Sequence, residues 1–155
     1  MTAIILKRAE KKDAGVLIEM LSQLSRDLNK EYKFSGSVEA LEKFGFSDAP
    51  AFEAIIAWRD GEALGFILYF YEFSTWRGAP GIYVQDLFVK AEARGLGLGE
   101  SLTTAAIKRG KEKEAVYMRL MVHGSNEAGF GFYNATGFKA VEGETTMLME
   151  FEDIG

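Results

Sequence analysis

The residue types best suited to definite chemistry lie in Val89-Lys90-Ala91-Glu92-Ala93-Arg94-Gly95-Leu96-Gly97-Leu98-Gly99-Glu100, between a predicted strand and a predicted helix. Glycines strip side chains from a backbone that a ligand must approach, and several amides can then converge on phosphate oxygens. The helix N-terminus that follows adds its partial positive charge at the same point. Arg94 supplies the formal charge in the core of the loop, so the attraction for an anion is local. A P-loop requires Lys-Ser/Thr after its last glycine, but Glu100-Ser101 follows Gly99. A dinucleotide fingerprint opening at Gly95 requires glycine at position 100, which is Glu100. What remains is Arg-x-x-Gly-x-Gly, met by Arg94, Gly97 and Gly99. Alone, that pattern fits a ligand-free glycine turn as well as a pyrophosphate cradle.

Composition narrows the field. The 155 residues suit one core, and 1–155 reads as a single domain. Eighteen Lys+Arg against 23 Asp+Glu give a net charge of −5, with no basic excess to draw the chain onto nucleic acid or an anionic membrane. The chain has no cysteine, which excludes disulfides, thiolate metal sites and a Cys nucleophile. With His123 the sole histidine, multi-His metal sites are excluded too, and no metal is expected. The N-terminal Met1-Thr2-Ala3-Ile4-Ile5-Leu6-Lys7-Arg8 has only a short apolar run, unlike a secretory signal, and no stretch approaches the roughly 20 apolar residues of a membrane span. A cytoplasmic location is the expectation.

The elements that must position the loop follow from periodicity. Ile4–Leu6 reads as a short strand. Asp13 can cap a helix whose Leu17, Leu21, Leu24 and Leu28 recur at spacings of three and four. Ser37 opens a second helix carrying Leu41 and Phe44 and stopped at Gly45. Phe52–Trp58 and Ala63–Phe73 flank Asp60-Gly61, a strong hairpin signal. Ile82–Val89 is a further strand, and a helix runs from about Gly97 to Lys113. Val116–Val122 reads as a strand, Glu127–Thr136 as a short helix ended by Gly137, and Thr145–Glu152 as a closing strand. This order predicts a mixed α/β layer fold.

With the loop, two further segments carry a family resemblance. Val89 with Arg94-Gly95-Leu96-Gly97-Leu98-Gly99, followed downstream by Asn126, Phe132-Tyr133 and Gly137-Phe138, resembles the GNAT superfamily of N-acetyltransferases over nearly the whole chain. Tyr71–Gly78, Tyr83–Val89 and Leu41–Phe46 look like the corresponding segments of its diamine (spermidine/spermine) branch. The resemblance implies a mostly antiparallel mixed central sheet flanked by helices, acetyl-CoA as cosubstrate, a small-molecule amine as acceptor and a homodimer. It also implies residue roles. Leu87, Phe88 and Val89 would hold pantetheine and the acetyl carbonyl, Arg94 to Glu100 the pyrophosphate, and Asn126 the cofactor arm. Tyr133 would protonate the leaving thiolate.

The acceptor side departs from that branch. Acetylating a primary amine of pKa about 10.4 is demanding, because only about one molecule in 2,500 is neutral at pH 7. The enzyme must favour the neutral amine by desolvation or by a base. Gln85-Asp86 stands where the diamine enzymes carry Glu-Asp, and Gln85 cannot ionise. Successive strand residues face opposite sides, so Asp86, itself a candidate catalytic residue, cannot simply substitute for residue 85, and Glu72 on the adjacent strand or a water chain could serve as the base instead. Asp27, Trp76, Gln85 and Asp86 are the candidate acceptor contacts. Ser74 replaces an expected aspartate, which weakens the case for a long polycation and brings an amino acid or lysine analogue into play. The leading reading is acetyl transfer to a small primary amine by direct attack. A protein or peptide amine as acceptor, or a weakly catalytic acyl-CoA-binding module, are the alternatives.

Overall fold

Asp60 and Gly61 both take positive φ, 52° and 76°, which suits the two-residue turn of a hairpin. That turn joins β2 (Glu53–Arg59) to β3 (Glu62–Ser74) at the centre of a five-stranded sheet. The computed structural model describes residues 2–154. The chain divides into two compact units, one up to Met121 and one from Val122 onward.

In the first unit the remaining elements are β1 (Ile5–Arg8), α1 (Ala14–Asp27), α2 (Val38–Gly45), β4 (Ala79–Val89), α3 (Leu98–Glu112) and β5 (Met118–Leu120). The strands lie in the order β1-β2-β3-β4-β5, antiparallel except for the parallel pair β4–β5. The mixed, mostly antiparallel sheet expected from the sequence is therefore present. A core forms on each face. On one, Leu98, Leu102 and Ala106 of α3 pack with Ile55, Ile67, Tyr69, Ile82 and Val84. On the other, Leu17 and Met20 of α1 pack with Ile56, Phe66, Leu68 and Phe88. Burying each of Leu17 and Leu102 contributes about 1.5–3 kcal/mol.

Helix caps agree only in part with expectation. Ser37 accepts from the Ala40 amide at 3.1 Å and starts α2 as predicted. Asp13 precedes α1 but makes no cap bond to it. Its carboxylate accepts from the Glu10 amide at 2.8 Å, because a 3-10 turn at 11–13 brings that donor closer than the helix amides.

In the second unit α4 spans Glu127–Thr136 and ends at Gly137 in the left-handed region (φ 107°), as expected. The tail does not form the expected strand: residues 145–150 have no regular structure and Phe151–Ile154 form a 3-10 turn. A strand persists where its side chains pack against a sheet; here Met147, Leu148 and Met149 stay exposed. The fifth strand is likewise shorter than Val116–Val122, covering only Met118–Leu120. No helix among the described residues is long and apolar enough to cross a membrane.

Candidate active site

The site begins with a mismatch of strand lengths. β4 runs to Val89, yet β5 pairs only with Ile82, Tyr83 and Val84. Beyond Val84 the β5 side of β4 is therefore an open backbone edge among the described residues. The Lys90 amide donates to the Leu64 oxygen at 2.8 Å, which sets the phase of the β3–β4 ladder. By alternation, residues 86 and 88 bond toward β3, while the amides and carbonyls of Leu87 and Val89 point to the open side.

A bulge interrupts β4 at Gln85. Tyr69 opposes Val84 but its neighbour Leu68 opposes Asp86, leaving Gln85 as the extra residue. Regular alternation, expected from the sequence, therefore fails here: Val84 and Asp86 are two apart yet lie on opposite faces. Val84 joins the α3-side core, and Asp86 lies with Leu68 and Phe88 on the α1 side. A sequence signal existed, since the residues packed on the α3 side switch from even (Ile82, Val84) to odd numbers (Leu87, Val89).

After β4 the chain makes a 3-10 turn at Ala91–Ala93 and reaches Gly95 and Gly97, both left-handed at φ 84° and 75°. An added Cβ would meet nothing within 4 Å at either position, so the conformation rather than crowding requires glycine. The open space is also what a ligand needs. Gly97 is the N-cap of α3, and its carbonyl accepts the first helical bond from Ser101 at 3.0 Å. The amides of Leu98, Gly99 and Glu100 thus have no intrahelical acceptor and project from the positive end of the helix dipole. Exposed Leu96 lies beside them. Arg94 is anchored twice, by Nε donating to the Val89 oxygen at 3.1 Å and by an Nη2–Asp27 Oδ2 ion pair at 3.6 Å. Asp27, expected among the acceptor contacts, pairs with Arg94 of the glycine loop.

The carboxylates divide into two kinds. Asp86 is half-buried and makes no hydrogen bond or ion pair among the described residues, and burial raises its pKa to about 6. Glu72 is the reverse. It accepts from Arg119 Nε at 2.7 Å, Arg119 Nη2 at 2.8 Å and Tyr117 Oη at 2.6 Å, and the Arg119 bonds hold it below the usual carboxylate range. Glu72 thus holds three donors, and Asp86 holds none among the described residues. Gln85 is exposed, and Trp76 projects from the β3–β4 hairpin at 99% exposure.

Among the described residues no acidic or histidine cluster could hold a metal. In the second unit Asn126 caps α4, its Oδ1 accepting from Gly129 at 2.9 Å, and its amide nitrogen is left for another acceptor. Tyr133 lies on α4 between Phe132 and Phe138, with ring centroids 5.3 and 5.5 Å away in edge-to-face contacts. His123 bonds Ser125 within its own loop.

Two networks escaped the sequence reading because their members lie far apart in the chain. One joins Glu72, Tyr117 and Arg119. The other joins Glu53 to Arg109, Arg8, Tyr69 and Tyr71, tying β1, β2, β3 and α3 together.

Residues 18–138 match the acetyltransferase (GNAT) family, and the chain belongs to it. Among its relatives is thialysine N-epsilon-acetyltransferase of Bos taurus, 28% identical over 145 residues, covering 88% of this chain and 85% of that protein. The spermidine/spermine N(1)-acetyltransferase-like protein 1 of Homo sapiens is 22% identical over 139 residues, covering 85% of this chain and 20% of that longer protein. The fold is also that of an aminoglycoside N-acetyltransferase solved in complex with CoA, with TM-score 0.76, 18% identity and 97% of each chain covered.

Proposed function

We propose that this protein transfers the acetyl group of acetyl-CoA to a primary amine of a small molecule by direct attack. The observation that carries the reading is Asp86: an unpaired, half-buried carboxylate adjoining the open backbone edge of Leu87 and Val89. The residues fit the cosubstrate. The free amides at 98–100, the open turn at Gly95 and Gly97 and the Arg94 cation suit a pyrophosphate. The outward amide and carbonyl of Leu87 and the outward amide of Val89, with Phe88 between them, suit the pantetheine arm and the acetyl carbonyl, and the resemblance assigns Asn126 to the cofactor arm. The solved CoA complex of a protein with this fold supports the same choice.

Acetyl-CoA supplies an electrophilic thioester carbonyl. Asp86, charged at neutral pH and reluctant to stay so, takes the proton of the incoming amine directly or through one water. Outward amides on β4 donate to the carbonyl oxygen as negative charge grows there. As the amine nitrogen bonds to the carbonyl carbon and the C–S bond breaks, Tyr133 gives its phenolic proton to the departing sulfur. The proton left on Asp86 returns to solvent and the Tyr133 phenolate takes one back from solvent, which restores both groups. Glu72, Gln85 and Trp76 border the acceptor in this reading, and Asp27 acts through Arg94.

The reading of 1–155 as a single domain belongs to this proposal and is supported by a family match that runs past Met121 to residue 138. A homodimer follows from the resemblance to the diamine branch. The test is thiol release from acetyl-CoA with putrescine, spermidine, lysine and a peptide amine side by side. Turnover of at least one small amine above background is expected. Acetyl-CoA binding without any thiol release overturns the catalytic reading, and turnover of the peptide alone redirects it to a macromolecular acceptor.

A further inference from the structure

On the α1 face of the sheet, β3 and β4 present three pairs in succession. Leu68 opposes Asp86, Phe70 opposes Tyr83, and Glu72 opposes Gly81. Phe70 and Tyr83 stack at 4.9 Å. Arg119, from β5, lays its guanidinium 4.7 Å from the centre of the Tyr83 ring and forks onto Glu72 through Nε and Nη2. Tyr117 fills the space above Gly81, where a Cβ would collide with its ring, and reaches Glu72 from there. Arg77 covers Tyr117 at 4.7 Å.

The ion pair is held in place but not used up. Arg119 is half exposed and commits two of its five N–H donors, leaving three. Glu72 offers about four lone-pair sites and has three occupied. The spare donors suit a carboxylate, the spare acceptor suits an ammonium, and the two lie side by side.

Resting on the acetyltransfer reading above, we propose that the Glu72–Arg119 pair is the subsite for the zwitterionic head of an ω-amino α-amino acid whose terminal amine reaches Asp86. Arg119 takes the α-carboxylate and Glu72 the α-ammonium. Successive pairs on one face of a strand are about 7 Å apart; the Arg119 guanidinium, over Tyr83, is one such step from Asp86 and draws Glu72, one pair further on, toward it, which suits a chain of four atoms between α-carbon and reacting amine. A diamine of the same length leaves the three spare donors of Arg119 without an acceptor. The placement also answers the missing acidic residues at positions 74 and 85, since a zwitterion needs fewer carboxylates than a polycation. A relative's acceptor, thialysine, has a head of this kind.

The experiment compares kcat/KM for lysine, lysinamide and cadaverine, which share the reacting amine but differ in the head. Wild-type protein is expected to favour lysine over both by at least tenfold, mainly through KM. Arg119→Gln lowers the lysine-to-cadaverine ratio by tenfold or more, and Arg119→Lys restores part of it. Equal efficiency with lysine and lysinamide in the wild type overturns the proposal without any variant having to fold. Equal proportional losses for lysine and cadaverine in Arg119→Gln overturn it too, and mark the pair as a clamp between β3 and β5. Turnover of cadaverine with no preference for lysine defeats this subsite alone. No turnover with any amine defeats the acetyltransfer reading and this one with it.

Discussion

Arg94 donates from Nε to the main-chain oxygen of Val89 at 3.1 Å, so the cation of the glycine loop is fastened to the strand from which that loop departs. One hydrogen bond thereby fixes the charge expected at the pyrophosphate relative to the backbone edge expected at the thioester. Replacing Arg94 with Ala removes both and is expected to weaken acetyl-CoA binding by about tenfold or more, the scale of a charge-assisted contact. Calorimetric titration measures it; an unchanged affinity removes Arg94 from the cofactor site.

Asp27 competes for the same guanidinium through a partly exposed pair at 3.6 Å. Such pairs contribute about 0–1 kcal/mol. Asp27→Asn is therefore expected to tighten acetyl-CoA binding modestly, by about twofold to fivefold, with the greater effect at low salt. Weaker binding in this variant contradicts the arrangement.

Asp86 makes two pH-dependent predictions with one origin. Its pKa is raised to about 6 by burial, so it accepts a proton effectively only above that pH, and kcat is expected to fall along a limb near pH 6. Asp86→Asn should lower kcat by about 10²–10⁴ and remove the limb. Stability moves the other way. A carboxyl with a raised native pKa favours folding below its unfolded value near 3.9, and that contribution is lost as pH rises through about 6. Asp86→Asn should therefore raise Tm at pH 8, by about 2–4 °C per kcal/mol recovered, and leave it unchanged at pH 4. Melting curves at the two pH values check the sign.

Tyr133→Phe keeps the edge-to-face contacts with Phe132 and Phe138 and deletes only the hydroxyl. The expected outcome is a fall in kcat of about 10²-fold with acetyl-CoA affinity within a factor of two. Parallel losses in both quantities point to packing instead.

Sedimentation equilibrium checks the homodimer, which requires twice the chain mass of 17.2 kDa. A single species of one chain mass at micromolar concentration contradicts it.

What could be read from the sequence was local. Asp60-Gly61, Ser37 and Gly137 announce a turn, a helix start and a helix stop through the φ values or cap bonds that their own side chains permit, and each is where expected. The glycine loop was legible for the same reason. Pairing was not: Glu72 finds Arg119 47 residues away, and Glu53 finds Arg109 56 away. Asp86 could be named from its place beside Leu87, but its environment depends on the Gln85 bulge, which the sequence signals only by the switch from Ile82 and Val84 to Leu87 and Val89 and which the register makes explicit. The tail misled because the apolar run from Met147 to Phe151 has strand composition, and composition does not supply a ladder partner.

The extra residue at Gln85 makes β4 two strands in series, each with its own phase. A one-residue change of register exchanges the faces of every side chain beyond it. Deleting Gln85 therefore differs in kind from replacing it: the arm that carries Tyr83 would turn over relative to the arm that carries Asp86. Substitutions on either arm leave the other's orientation intact. Changes on the arm that carries Tyr83 can thus accumulate without reorienting Asp86, Leu87 and Val89.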